Sequence, residues 1–188
     1  MTTELSTTGY ALLGLLVFDA RTSDEGMTGY ELKQRADRTL RFYWVSPAMS
    51  QIYTELDRLD GLGLVEASET QEGRRRSRHF RITAAGRERL HAWHQTPPAD
   101  LFPVLKHPVA LRLLMGALTD PDTVDAWLTS YLEQLEQQRA DLEAVREMLG
   151  DRHEVRYPAR VAEWGLAYYT SEREIVEKLR TEIASELD

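Results

Sequence analysis

Apolar residues follow distinct rhythms along this chain. From about Thr7 to Ala20 they are dense, with Leu12, Leu13, Leu15, Leu16 and Phe18 in one helical segment. From Met49 they recur at steps of 3, 4 and 3, as Met49, Ile52, Leu56 and Leu59, which is one buried stripe of a helix. The opposite face of that helix carries Ser50, Gln51, Thr54 and Arg58, hydrogen-bonding side chains rather than a Glu/Lys mixture. The rhythm then changes to alternation, with Phe80 and Ile82 on one side and His79 and Arg81 on the other, the period of a strand. Further on, Val124, Leu128, Tyr131, Leu135, Gln138, Leu142, Val145 and Leu149 alternate steps of 4 and 3. That is a coiled-coil seam with one polar position, Gln138.

Capping residues place the boundaries. Thr28-Gly29-Tyr30-Glu31 matches a capping box and predicts a second helix from Gly29 to about Leu40. Ser46-Pro47 predicts the start of the third, with Ser46 as N-cap and Pro47 at the first helical position. Gly61-Leu62-Gly63 predicts its end. Two strands are expected at about 64–70 and 78–83, joined through Gly73-Arg74-Arg75-Arg76-Ser77, after which Thr83 caps a helix reaching His94. Gln95 to Asp100, with Pro97-Pro98, has the composition of a linker. A short helical segment from about Pro108, a helix opened by Asp120-Pro121 and a final one opened by Pro158 follow. On that final helix Val161, Trp164, Tyr168, Ile175, Leu179, Ile183 and Leu187 share one side. The expected fold is mostly α with a small β-hairpin wing. It comprises a winged helix-turn-helix over residues 1–95 and an antiparallel helical, coiled-coil dimerisation domain over 96–188.

Composition narrows the chemistry. There is no cysteine among the 188 residues, so neither disulfides nor thiolate metal sites can form, which fits a reducing cytoplasm. Met1 to Leu5 lacks the basic start of a signal peptide, and the apolar run Ala11 to Phe18 is too short to span a bilayer, which takes about 20 residues. The expected location is cytoplasmic, with no membrane partner.

The net charge is −8, but its distribution is uneven. Between Arg74 and Arg89 stand Arg74, Arg75, Arg76, Arg78, Arg81, Arg87 and Arg89 against Glu88 alone. Screening limits surface charges to a range of about 8–10 Å, so the local cluster outweighs the acidic total. A basic hairpin tip just after a polar-faced helix suits duplex DNA. The helix offers Ser46, Ser50, Gln51, Thr54 and Arg58 to base edges, with Gln51 suited to adenine and Arg58 to guanine or phosphate. Tyr53 either packs on the scaffold or reaches a phosphate with its hydroxyl. Arg74, Arg75, Arg76 and Arg78 would hold backbone phosphates, which bring affinity and position without sequence choice. The plainer alternative is a solvated turn.

Several of these stretches occur together in a known family. The set Gly9-Tyr10-Ala11-Leu12-Leu13-Gly14-Leu15-Leu16, Thr28-Gly29-Tyr30-Glu31-Leu32, Ser50-Gln51-Ile52-Tyr53-Thr54-Glu55-Leu56 and Arg76-Ser77-Arg78-His79-Phe80-Arg81-Ile82-Thr83-Ala84-Ala85-Gly86 resembles the PadR-family transcriptional regulators. The chain departs from the family pattern at Thr54, where a proline is common, and at Phe80, where a tyrosine is. The helical C-terminal half, through Tyr168-Tyr169-Thr170-Ser171-Glu172, resembles the subgroup with an extended dimerisation domain. The resemblance implies a homodimeric DNA-binding regulator, commonly a repressor. It needs no cofactor.

The seam Val124, Leu128, Tyr131, Leu135, Leu142, Val145 and Leu149 could be covered by the final helix or by a second subunit. A dimer would match a palindromic site. Trp127, Trp164 and Tyr168, with Tyr169 and Trp93, are candidates for a pocket taking a small aromatic effector, or else simply anchor cores and interfaces. No Gly-rich phosphate loop, nucleophile elbow or His-Glu-x-x-His argues for an enzyme. His91 and His94 alone are a weak zinc signal. The competing class is a winged helix used as a protein-interaction module in a coiled-coil assembly.

Overall fold

The computed structural model describes residues 5–20, 25–42, 44–72, 75–97 and 107–185, without the side chains of 71, 72, 75 and 76. The chain divides into two compact units, Met1–Leu101 and Phe102–Asp188. The first contains α1 (Thr7–Asp19), β1 (Met27–Thr28), α2 (Gly29–Thr39), α3 (Met49–Gly61), β2 (Val65–Glu72), β3 (Arg75–Ile82) and α4 (Ala84–Gln95). The second contains α5 (Pro108–Leu113), α6 (Pro121–Leu149) and α7 (Arg156–Ser185).

Hydroxyl and carboxylate caps start α2, α4 and α6 where the sequence places them. Thr28 accepts the Glu31 amide at 3.2 Å while Glu31 accepts the Thr28 amide at 2.8 Å. Thr83 accepts from Gly86, and Asp120 from Thr123 ahead of Pro121. The end of α3 is closed by Gly63 at φ +69°, a left-handed position that glycine takes without steric cost. There the Gly63 amide donates to Asp60 and the Leu64 amide to Leu59, while the Leu59 and Leu64 side chains are both buried.

The three strands form an antiparallel sheet in the order β1-β3-β2. Val65, Ala67 and Glu69 stand opposite Ile82, Phe80 and Arg78. One face of this sheet and three helices enclose the core, in which Leu12, Leu13, Leu16, Leu32, Ile52, Leu56, Leu59 and Phe80 are fully buried. Each such side chain contributes about 1.5–3 kcal/mol through burial.

The structure corrects the sequence reading in three places. The third helix begins at Met49, with Ala48 as its N-cap residue, rather than at Pro47. The Ser46 hydroxyl is unavailable as a cap because it donates to Asp37 Oδ1 at 2.6 Å and accepts from Lys33 Nζ at 3.1 Å. Gln51 caps instead, its side-chain oxygen accepting the Ala48 amide at 3.0 Å. Second, the hairpin ladder runs out to the pair Glu72–Arg75, so Arg75 and Arg76 belong to β3 rather than to the turn. Arg74 lies outside the described residues. Third, β1 is too short to show as a pattern; only its pairing with His79 and Phe80 defines it.

In the second unit, α6 and α7 pack along their length. Leu142 lies against Gly165, whose hypothetical Cβ would sit 2.6 Å from Leu142 Cδ2. Val124 and Leu128 cluster with Val176 of α7, with Tyr131 and Trp127 packed on them. Val124, Leu128, Leu135 and Leu142 are buried, and Tyr131, Val145 and Leu149 half-buried, within a single chain. The small residues Ala159, Ala162 and Gly165 let α7 approach closely, so of the two partners open to the seam, the final helix lies along it within one chain. A half-buried polar cluster adds to this packing. His107 Nδ1 accepts the Ala110 amide at 3.0 Å, its Nε2 lies 2.7 Å from Glu172, and the Tyr131 hydroxyl donates to Glu172 at 3.1 Å. Burial and the neighbouring Glu172 push the Tyr131 hydroxyl well above the ordinary tyrosine range.

Candidate nucleic-acid interface

One face of α3 carries the residues that sequence reasoning proposed for DNA. Ser50, Gln51, Tyr53 and Thr54 are exposed on its first two turns, opposite the buried Ile52, Leu56 and Leu59. The 3.6-residue period produces this division, with apolar positions turned into the core and polar ones left at the surface. The Thr54 hydroxyl donates to the Ser50 carbonyl at 2.9 Å, an intrahelical bond that a proline could not make. The Tyr53 ring fills the space a side chain at Gly29 would need, its Cε1 only 2.6 Å from a hypothetical Cβ there. Tyr53 therefore packs on α2 while 43% of it stays exposed. Both alternatives left open by the sequence are compatible with that position.

Two of the proposed readers are placed differently from Ser50 and Gln51. Ser46 is engaged with α2 through Asp37 and Lys33. Lys33 pairs with Asp37, and that bond with the Ser46 hydroxyl holds the Asp37 carboxyl below its ordinary range. Arg58 occupies the last turn of α3, 3.7 Å from Glu55 Oε1. Seven residues separate it from Gln51, roughly 10 Å along the helix axis. Base edges are approached by the first turns of such a helix, so Arg58 suits the backbone better than a base.

Arg78 departs most from its expected place. Its Nη1 lies 2.5 Å from Asp57 and its Nη2 2.8 Å from Asp60, both on α3. The hydrogen bond to Asp57, more than any other cause, makes its guanidinium harder still to deprotonate. Each pair is partly exposed and contributes at most about 1 kcal/mol to stability. Asp57 and Asp60 were missed by sequence reasoning. The signal was present, because Arg78 shares strand parity with Phe80 and Ile82, the side that faces the core. On the other face Ser77, Thr70 and His79 form a polar ladder, Thr70 Oγ1 lying 2.9 Å from Ser77 Oγ and 2.8 Å from His79 Nδ1.

Two of the aromatic residues proposed for an effector, Trp127 and Trp164, lie far apart within one chain. Trp127 packs in the cluster of Val124, Leu128 and Val176, near one end of the α6–α7 pair. Trp164 stands next to Gly165, which lies against Leu142, 15 residues along α6 from Trp127. That separation is about 20 Å at the helical rise. Trp164 is 76% exposed and Tyr168 48%. Tyr169 meets Tyr168 edge to face, and Trp93 stacks on Tyr10 at 4.7 Å in the first unit.

Three helices, a two-stranded wing and a polar-faced third helix define a winged helix-turn-helix protein. Comparison with known proteins gives the family. The model of the transcriptional regulator PadR-like family matches residues 20–92, and that of the virulence activator alpha C-terminal region matches 105–184. By these matches the N-terminal unit is a PadR-like transcriptional-regulator domain, from a family of gene regulators rather than enzymes. No curated protein matches significantly. Among solved structures, Bacillus subtilis PadR in complex with operator DNA superimposes with TM-score 0.78 at 20% identity, over 95% of this chain and 99% of that one. Bacillus subtilis PadR in complex with p-coumaric acid gives 0.71 at 20% identity over the same shares. The Vibrio cholerae virulence activator AphA gives 0.70 at 16% identity, over 96% and 99%. Among the described residues no helix is long and apolar enough to cross a membrane.

Proposed function

We propose that the protein is a cytoplasmic, homodimeric repressor that binds a palindromic operator and is released by a small aromatic molecule. The observation that carries the DNA contact is the exposed face of Ser50, Gln51, Tyr53 and Thr54 at the start of α3. It lies on a helix joined directly to the arginine-bearing hairpin. Gln51 and Ser50 read base edges from the major groove. Reading adenine requires Gln51 to turn its amide out of the Ala48 cap. Arg74, Arg75 and Arg76 contribute phosphate contacts. Operator binding is supported by the shared fold with Bacillus subtilis PadR, solved on operator DNA.

The dimer reading rests on α7. Tyr157, Trp164, Tyr168 and Ile175 recur at helical steps along it and are all exposed. Large apolar side chains in one exposed row mark an interaction surface. A second copy seated there would present two recognition helices, matching half-sites about 34–36 Å apart or a multiple of that. The effector reading is supported by the Bacillus subtilis PadR complex with p-coumaric acid.

Selection of bound duplexes from a random pool tests the core of this reading. The expected product is an inverted repeat. Replacing Arg74, Arg75 and Arg76 with alanine should weaken binding to every sequence and flatten the log–log salt dependence by about 0.9 for each phosphate no longer neutralised. Gln51→Ala should instead change which sequence is selected. A pool from which nothing is enriched would refute the assignment. Addition of p-coumaric acid to the operator complex, followed by tryptophan fluorescence and release of DNA, tests the effector.

A further inference from the structure

We propose that Arg78 is a positioning residue, which locks the wing to the recognition helix and offsets the two carboxylates that helix carries, rather than a phosphate contact. The proposal rests on the DNA-binding reading above. It begins with the sheet. β1 pairs with β3 only at His79 and Phe80, so from Arg78 outward the hairpin is a two-stranded ribbon. A two-stranded ribbon alone is only marginally stable in water. Arg78 is the first β3 residue beyond the third strand, opposite Glu69, and has the parity of the buried Phe80. That parity turns its side chain toward α3.

There the guanidinium fork meets two carboxylates three residues apart, at 2.5 Å from Asp57 and 2.8 Å from Asp60, while its carbon lies 4.8 Å from the centre of the Phe80 ring. A planar fork bridging two groups fixes direction as well as distance, which a lysine could not do. The ribbon is thereby tied to α3 at the point where it loses its third strand.

Charge gives the second reason. A helix entering the major groove brings its side chains within a Debye length of the phosphates. Asp57 and Asp60 would each repel them. Arg78 already supplies its charge to this pair. Exposed ion pairs of this kind add little to global stability. The consequence of losing Arg78 therefore falls on the angle between wing and helix, not on folding.

The test uses the full chain with Arg78→Ala and with the double variant Asp57→Asn/Asp60→Asn, which keeps every arginine. Each is titrated against the duplex selected by the parent and against a scrambled duplex, over a series of salt concentrations. Both variants should lose about tenfold in the ratio of selected to scrambled affinity, comparable to one base-pair contact. Arg78→Ala should leave the salt slope unchanged. In the free proteins, amide hydrogen exchange along β2 and β3 should accelerate in both variants. A salt slope reduced by about 0.9 in Arg78→Ala would make Arg78 a phosphate contact and overturn the proposal. So would a double variant that kept the parent's ratio, or unchanged exchange in the ribbon. Failure of the parent to select any duplex would overturn the DNA-binding reading, and this proposal with it.

Discussion

The two units bury their apolar residues in different ways. In the first, three helices and a sheet surround Leu12, Leu16, Leu32, Ile52, Leu56 and Phe80 from several directions, leaving none of them accessible. In the second, two long helices meet along one line, through Ala159, Ala162, Gly165 and Val176 on α7. Two cylinders in contact cover only one strip of each other. Trp164, Tyr168 and Ile175 consequently remain at the surface, as do Leu111, Leu114 and Leu118 near α5. The first unit has the burial of a self-sufficient domain, whereas the second leaves large apolar side chains uncovered. The difference follows from geometry rather than composition.

Substitutions can break or sharpen this contrast. The largest effect is expected at Gly86, where an added Cβ would lie 2.1 Å from the Leu64 carbonyl oxygen and 2.8 Å from Ile82. Backbone cannot step aside, so Gly86→Ala should cost about 3 kcal/mol, read as a lowered denaturant midpoint. A loss under about 1 kcal/mol would show that the first unit is less rigidly packed than described. Next comes Trp164→Ala, expected to weaken self-association by about 2 kcal/mol, as for a central interface aromatic. Light scattering over a dilution series should show dissociation at higher concentration than in the parent, with the thermal transition of the first unit unmoved. A parent that is monomeric at all concentrations would sink the dimer reading.

Gly165→Ala is the counterpart of Gly86→Ala in the second unit. Its nearest obstacle, at 2.6 Å, is a methyl of Leu142, the far end of a flexible side chain. The cost should stay near or below about 1 kcal/mol. Equal losses at the two glycines would erase the distinction between the units.

The smallest effect concerns acid. The Glu31 carboxyl is held below its ordinary value, first by the Thr28 amide it accepts. A depressed folded pKa gives stability that is fully present above the unfolded value of about 4.3 and fades as the pH falls through the folded one. Parent and Glu31→Gln should therefore differ in melting temperature at neutral pH and converge in stronger acid. A gap that widened below about pH 4 would contradict the capping geometry.

Arg78 and the α6 seam show where sequence reasoning was complete and where it stopped. The capping box at Thr28 and the hydroxyl cap at Thr83 were legible because their bonds join residues three apart. The stripe from Met49 to Leu59 was legible because a helix repeats every 3.6 residues. Ser46 was misread as a cap because its partners Lys33 and Asp37 lie on the preceding helix. The seam from Val124 to Leu149 was correctly seen as a buried line, yet its partner could not be chosen from spacing alone.

The sequence by itself determined the winged helix-turn-helix, the polar face of α3, the basic hairpin and the lengths of the C-terminal helices. Periodicity, capping and local charge are short-range properties, set by neighbours along the chain. Tertiary structure alone decided that α7 covers α6, that Trp127 and Trp164 are kept apart, and that Arg78 turns to Asp57 and Asp60. Each of these depends on residues distant in the chain, such as Arg78 and Asp60, 18 apart, for which a sequence pattern specifies a face but not the partner it meets.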